Sequence, residues 1–278
     1  MNLLLKPLKK FLDFIVYSNF FIAVCIALFT LQTAIVFPHQ SDQILLFIPL
    51  NFIATFTLYN LQRLYFSAQL KNDSKYTWYT KNRRLIFTLI ILTISCSFNF
   101  LVTFFLQNVT SLIVYGCLGV LSIFYFLPPL QLRKYGLLKP FIITFVIICT
   151  SVILPLATTF NKVTLIYAVN QFFFIAALCI CFDIRDVEID ALGNQKTIPI
   201  KFGITNTKYL VVALLLFYLA TGFFVPNTYF PTTAIFVTVL SILLTIFAKP
   251  KRHYYFYLLL VDGAIIVQCL LLLFLNKV

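Results

Sequence analysis

The sequence predicts an all-α integral membrane protein: a single domain over residues 1–278, built as a bundle of nine transmembrane helices. Composition is the first observation. Hydrophobic residues make up 62% of the 278 and charged residues 10%, against about 25% charged in an ordinary soluble domain. The mean hydropathy is +0.99. No water-soluble fold of this length has enough interior to hide that much apolar side chain. Run length is the second observation. A spanning helix needs about 20 apolar residues, whereas a barrel strand needs about 10 with strict alternation. The apolar runs here are long and do not alternate. A soluble enzyme, a disordered chain and a disulfide-stapled secreted module are thereby excluded. With 7 Gly and 11 Pro, so is a low-complexity linker.

Between polar breaks the spans read as 11–37, 43–66, 85–106, 109–127, 140–160, 163–182, 207–226, 229–248 and 255–276. Only Gln107, Asn108 and Thr110 separate the third from the fourth, and a hairpin turn is expected there because the joined stretch is too long to cross once. The basic residues support the count. Lys6, Lys9 and Lys10 precede the first span, Arg63 stands at the inner end of the second, and Lys71, Lys75, Lys81, Arg83 and Arg84 lie between the second and third. Arg133, Lys134 and Lys139 follow the fourth. Arg185, Lys196, Lys201 and Lys208 follow the sixth, and Lys249, Lys251 and Arg252 follow the eighth. With the N-terminus inside, 19 of the 21 Lys+Arg fall on the inner side, leaving Lys162 and Lys277 outside. That is the positive-inside asymmetry. It puts the C-terminus outside and the protein in the inner, cytoplasmic membrane.

The net charge of +13 then follows from topology and from attraction to anionic lipid of the bilayer. No segment is large enough to form a nucleic-acid-binding face, although the inner loops could also attract an anionic substrate. The seven Cys, at 25, 96, 117, 149, 179, 181 and 269, lie in or beside apolar spans without a metal-type pattern. They read as small packing residues. No cleavable signal peptide is evident.

Acids are rare, and four of the eight, Asp183, Asp186, Glu188 and Asp190, crowd into CFDIRDVEIDALGNQKTIPIKFG. If the sixth span continues as helix to Gly193, Asp183, Asp186 and Asp190 lie at about 0°, 300° and 340°, one stripe. Arg185 and Glu188 fall on the opposite side. Carboxylates aimed together repel unless a cation sits between them, and hard oxygen ligands suit Mg²⁺. A solvated helix end, its acids paired with Arg185, Lys196 and Lys201, is the other reading. A second signal is FYFLPPLQLRKYG, residues 124–136. Pro128-Pro129 ends a helix, and the Arg133 and Lys134 that follow are either a basic cap over an anionic ligand or inside-positive charge. Asp262, near the start of the last span, is an intramembrane carboxylate that faces the bundle interior, for function or for helix packing.

Together these pieces resemble the UbiA-type membrane prenyltransferase superfamily. The resemblance rests on Tyr125-Phe126-Leu127-Pro128-Pro129 with Arg133-Lys134, on Asp183-Ile-Arg185-Asp186-Val-Glu188-Ile-Asp190, and on the trailing Gly193-Asn-Gln-Lys196-Thr197-Ile-Pro199. It spans the whole chain and implies a UbiA-like bundle of nine transmembrane helices. It implies transfer of an isoprenoid group from a prenyl diphosphate to an aromatic or lipid acceptor in the membrane, with Mg²⁺ as cofactor. Asp183, Asp186 and Asp190 would be the metal ligands, Asp186 and Asp190 also catalytic. Asn60, Arg63, Tyr125, Arg133 and Lys134 would bind substrate. The 33 Phe and 15 Tyr would shield an allylic cation from water.

The chain departs from the family at the first Asp-rich motif, near the inner end of the second span. That place reads Leu58-Tyr59-Asn60-Leu61-Gln62-Arg63-Leu64-Tyr65-Phe66-Ser67, with no carboxylate. Asn60, Arg63 and Ser67 share the offsets of Asp183, Asp186 and Asp190. Arg in place of Asp changes the local charge by +2, the charge of one Mg²⁺, so Arg63 can contact a phosphate where a second ion would sit. A non-catalytic relative that binds an isoprenoid, quinone-like or haem-type lipid is the alternative, and a transporter a weaker one, for want of internal repeats.

Overall fold

The computed structural model of the protein describes residues 2–67, 74–107, 109–250 and 252–277. Among these there is no strand. The chain runs α1 (Asn2–Tyr17), α2 (Phe20–Val36), α3 (Ser41–Leu45), α4 (Phe47–Ser67), α5 (Ser74–Lys81), α6 (Arg83–Gln107) and α7 (Val109–Phe124). It continues as α8 (Lys139–Ile148), α9 (Lys162–Leu192), α10 (Ile198–Phe202), α11 (Ile204–Gly222), α12 (Phe230–Phe247) and α13 (Asp262–Leu275). Two π-helical stretches, Cys149–Ile153 and Phe256–Val261, extend α8 and precede α13.

Among the described residues, four helices are long and apolar enough to cross a membrane: α9, α11, α12 and the continuous Phe256–Leu275. Counting each bent pair as one span gives six. Nine spans were expected, and the other expected runs are bent, short or only partly described. The first run, 11–37, is not one helix. It breaks at Ser18–Asn19, where Asn19 takes a left-handed conformation (φ 59°) and the two halves bend by 61°. The second bends by 46° beside Leu46. The helices at 109–124 and 139–153 are apolar but short. The third expected span is α6, with 25 residues, many of whose side chains lie outside the described residues. α6 ends at Gln107 and α7 starts at Val109. The expected hairpin residue Asn108 lies outside the described residues, as do Lys71 and Asp73 and the Ser67 side chain.

α9 is the central helix, packed chiefly against α11 on one side and α8 on the other, while α2 packs against α4 and α13. Its start is fixed by Asn161, whose side chain accepts hydrogen bonds from the backbone N–H groups of Val163 (2.9 Å) and Thr164 (3.1 Å), as an N-cap should. Polar side chains join the helices where the medium offers no water. Asn170 donates to the Tyr218 carbonyl (2.6 Å), and Gln268 donates to the Tyr218 hydroxyl (2.8 Å). The π-helical turn in α8 frees backbone carbonyls that need donors. Asn51 of α4 donates to Thr150 O (3.1 Å), and Thr33 of α2 donates to Ser151 O (3.0 Å).

Candidate functional site

The acidic segment is helical, as expected, and α9 runs to Leu192 with Gly193 as its C-cap. The left-handed position is Asn194 (φ 53°), not the glycine. The chain then folds back, Gln195 N–H donating to Asp190 O (2.9 Å). This return lays Lys196 and Thr197 over Gly136 of the basic loop. A Cβ on Gly136 would stand 2.5 Å from the Lys196 carbonyl carbon and 2.6 Å from Thr197 N, so only glycine permits the approach. The loop itself turns through a cis Pro128–Pro129 bond, and Arg133 N–H donates to Tyr125 O (2.9 Å). Loop and acidic helix thus meet.

They enclose one end of a cavity of about 570 Å³. Its wall changes character along α9, from Ile175, Leu178 and Phe182 to Asp183, Arg185, Asp186 and Glu188, over about 20 Å of helix. Phe21, Ile22 and Ile26 of α2, Ile143, Val146 and Ile147 of α8, and Ile265 of α13 continue the apolar part. Arg63, Arg133, Lys139 and Arg252 supply cations. An apolar slot ending among charges fits a ligand with an oily chain and an ionic head.

The acids are not arranged as expected. Lys139 Nζ sits between two of them, 2.8 Å from Asp183 Oδ1 and 3.0 Å from Asp190 Oδ2. All three are buried, at 6%, 2% and 0% exposure. Arg133 stands 3.9 Å from the other oxygen of Asp190 and lies over the Phe66 ring, 4.9 Å from its centroid. Asp186 turns instead to its sequence neighbour Arg185, which grips it through two hydrogen bonds of 2.7 and 2.9 Å and stacks on Phe182 at 4.9 Å. The expected stripe is therefore split, Asp183 with Asp190 on Lys139 and Asp186 on Arg185. Arg185 and Glu188 do not face away. Both line the cavity, which wraps more of the helix end than one stripe.

The remaining expected residues divide. Arg63, Tyr125 and Arg133 line the cavity, while Lys134 is exposed and off the wall. Asn60 is fully buried and also off the wall. It donates to Ser18 O (2.9 Å) and Phe56 O (2.7 Å), and accepts from Asn19 (3.1 Å) and from the Tyr79 hydroxyl. Burial pushes the Tyr79 hydroxyl well above the ordinary tyrosine range, so it stays a neutral donor. Asn60 is a clamp on the α1–α2 break. Asp262 lines the cavity directly after the second π-helical stretch and is 7% exposed. Two residues escaped sequence reasoning. Gly136 carries no chemistry of its own. Lys139 reads in the sequence as one of the inside-positive lysines, because a lysine at the start of a span ordinarily reaches back to the interface.

The donor set does not fit Mg²⁺ as arranged. Among the described residues no three His, Cys, Asp or Glu side chains gather where they could hold a metal. The three aspartates expected to be ligands each already hold a cation of the chain.

A sequence profile described as the UbiA prenyltransferase family matches residues 80–255, from the end of α5 past the basic loop and the acidic helix. The chain belongs to the UbiA prenyltransferase family. As a UbiA-family chain with apolar helices of spanning length, it is an integral membrane protein. The match starts after Asn60 and Arg63. A solved structure concerned with digeranylgeranylglyceryl phosphate synthase in membranes shares the UbiA-family chain's fold, with a TM-score of 0.54 over 96% of each chain. At 16% identity the likeness is one of fold. No curated protein matches the sequence.

Proposed function

We propose that the protein is a membrane prenyltransferase that moves an isoprenoid group from a prenyl diphosphate to an aromatic or lipid acceptor dissolved in the bilayer. The observation that carries this reading is the cavity: apolar along α2, α8 and α13, charged at the end of α9, in a chain of this family. The apolar stretch takes the isoprenoid chain. Arg63, Arg133 and Lys139 face the diphosphate. The allylic C–O bond breaks and its electron pair leaves with the diphosphate, where these cations stabilise the added charge. Phe21, Tyr59, Phe66, Tyr125 and Phe182 of the wall shield the allylic cation with their rings. The acceptor then forms the new bond and gives up a proton, which we assign to Asp262. Asp183 and Asp190 position Lys139, and Asp186 positions Arg185. The chain is read as one domain crossing the inner membrane nine times, N-terminus inside, so that loop and acidic helix share the inner face.

A second reading is a non-catalytic relative that holds an isoprenoid lipid. It is favoured by the internal pairing of Asp183, Asp186 and Asp190. Purified protein in lipid nanodiscs, given farnesyl diphosphate and a membrane lipid extract, separates the two. Release of diphosphate with a prenylated lipid in the mass spectrum is expected. Binding of farnesyl diphosphate without release would establish the second reading instead.

A further inference from the structure

We propose that Lys139 is the built-in cation of the acidic segment, standing where a divalent ion would otherwise be needed, and that the protein binds an isoprenoid diphosphate without divalent metal. The proposal deepens the functional reading above and rests on it only for the ligand.

Geometry carries it. One ammonium joins two carboxylates that lie seven residues, about two turns, apart on α9, at 2.8 and 3.0 Å. Arg133 approaches the remaining oxygen of Asp190 at 3.9 Å. Two negative charges thus meet two positive ones, all within the protein. Asp186 is neutralised separately by Arg185. A metal ion entering this cluster would meet an ammonium already in hydrogen-bond contact with both carboxylates, and like charges at that range repel in a poorly solvated site. Lys139 cannot move aside easily. Its backbone N–H is bonded to Tyr135 O (3.1 Å), Pro140 follows at the helix start, and its side chain is enclosed. The other half of a metal cage is missing from the sequence, because residues 58–67 contain no carboxylate and Arg63 lines the cavity. Both changes have the same sign. Each replaces metal charge by side-chain charge. Arginine grips phosphate oxygens directly as a fork, and Arg63 and Arg252 line the cavity for that contact.

The test uses the full chain in nanodiscs. Mn²⁺ binding, read by electron paramagnetic resonance, is expected to be undetectable at micromolar ion in the wild type and to appear in Lys139→Met, at least about tenfold tighter. Farnesyl thiodiphosphate, a slowly reacting analogue, is expected to bind the wild type equally in EDTA and in Mg²⁺. Wild-type Mn²⁺ binding at micromolar ion, or analogue binding that falls about tenfold or more in EDTA, would overturn the proposal. If Lys139→Met fails to fold, these wild-type measurements still decide it. Failure of the prenyl reading is a different result: no analogue binding in either buffer, with wild-type Mn²⁺ binding still absent.

Discussion

Removing the Lys139 ammonium leaves Asp183 and Asp190 side by side, each almost without solvent. Breaking a buried ion pair by deleting one partner costs about 3–5 kcal/mol, and here two acids lose the same partner. Lys139→Ala is therefore expected to lower stability by at least that amount, measured by thermal unfolding in detergent. Adding Asp183→Asn to Lys139→Ala should recover a large part of the loss, because one stranded charge disappears. Additive losses in that double-mutant cycle would show that the contact does not couple. Asn60 makes a contrasting case. Its amide is used on Ser18, Phe56, Asn19 and Tyr79, and it is not on the cavity wall. Asn60→Ala should cost about 1–3 kcal/mol of stability while leaving diphosphate affinity within about twofold. A large affinity loss at unchanged stability would return Asn60 to the binding site. The acidic cluster was legible in the sequence because acids are scarce. Its partner was not, since a lysine that neutralises a buried acid looks the same, residue by residue, as a lysine that marks an inner loop.

At the scale of elements, the basic loop and the return after α9 act as one piece only while Gly136 can touch the Lys196 backbone. Gly136→Ala places a methyl group against backbone atoms that have no rotamer to give, so the loop must lift. The cost expected from such overpacking is about 1–3 kcal/mol. Arg133 and Lys139 lie on either side of the glycine, so diphosphate binding should weaken together with stability. Unchanged binding in a destabilised Gly136→Ala protein would mean that the loop does not depend on this contact. The length of α9 could be read from the sequence, because apolar residues run into the acidic turn and stop at Gly193. The breaks at Ser18–Asn19 and Leu46 could not. Both lie inside apolar runs, and composition does not reveal a bend whose polar groups are satisfied by other helices, as Ser18 O is by Asn60. The π-helical turns are equally silent, although one of them brings Asp262 to the cavity.

For the whole molecule, the question is which side of the membrane each end of the cavity faces. Lys139, Arg133 and Asp190 come together from a loop and two helix ends, so the segments around 134 and 196 must share a side. Across the length of α9, Lys162 begins the same 31-residue helix that ends at Leu192, about 46 Å of axis. A hydrocarbon core of about 30 Å fits between those ends, which sets Lys162 on the face opposite to Lys196. On the topology proposed above, all the basic residues but Lys162 and Lys277 lie on one side, which the positive-inside rule makes the cytoplasmic one. Single cysteines placed at Lys134, Lys162 and Lys196 in a Cys-free background should therefore react differently with a membrane-impermeant maleimide in intact cells. Position 162 should label from outside, and positions 134 and 196 only after permeabilisation. Labelling of 134 and 196 from opposite sides would separate the loop from the acidic helix. With all three reversed, the contact survives, but the charged end of the cavity would open away from the cytoplasm, where a soluble diphosphate head could not reach it.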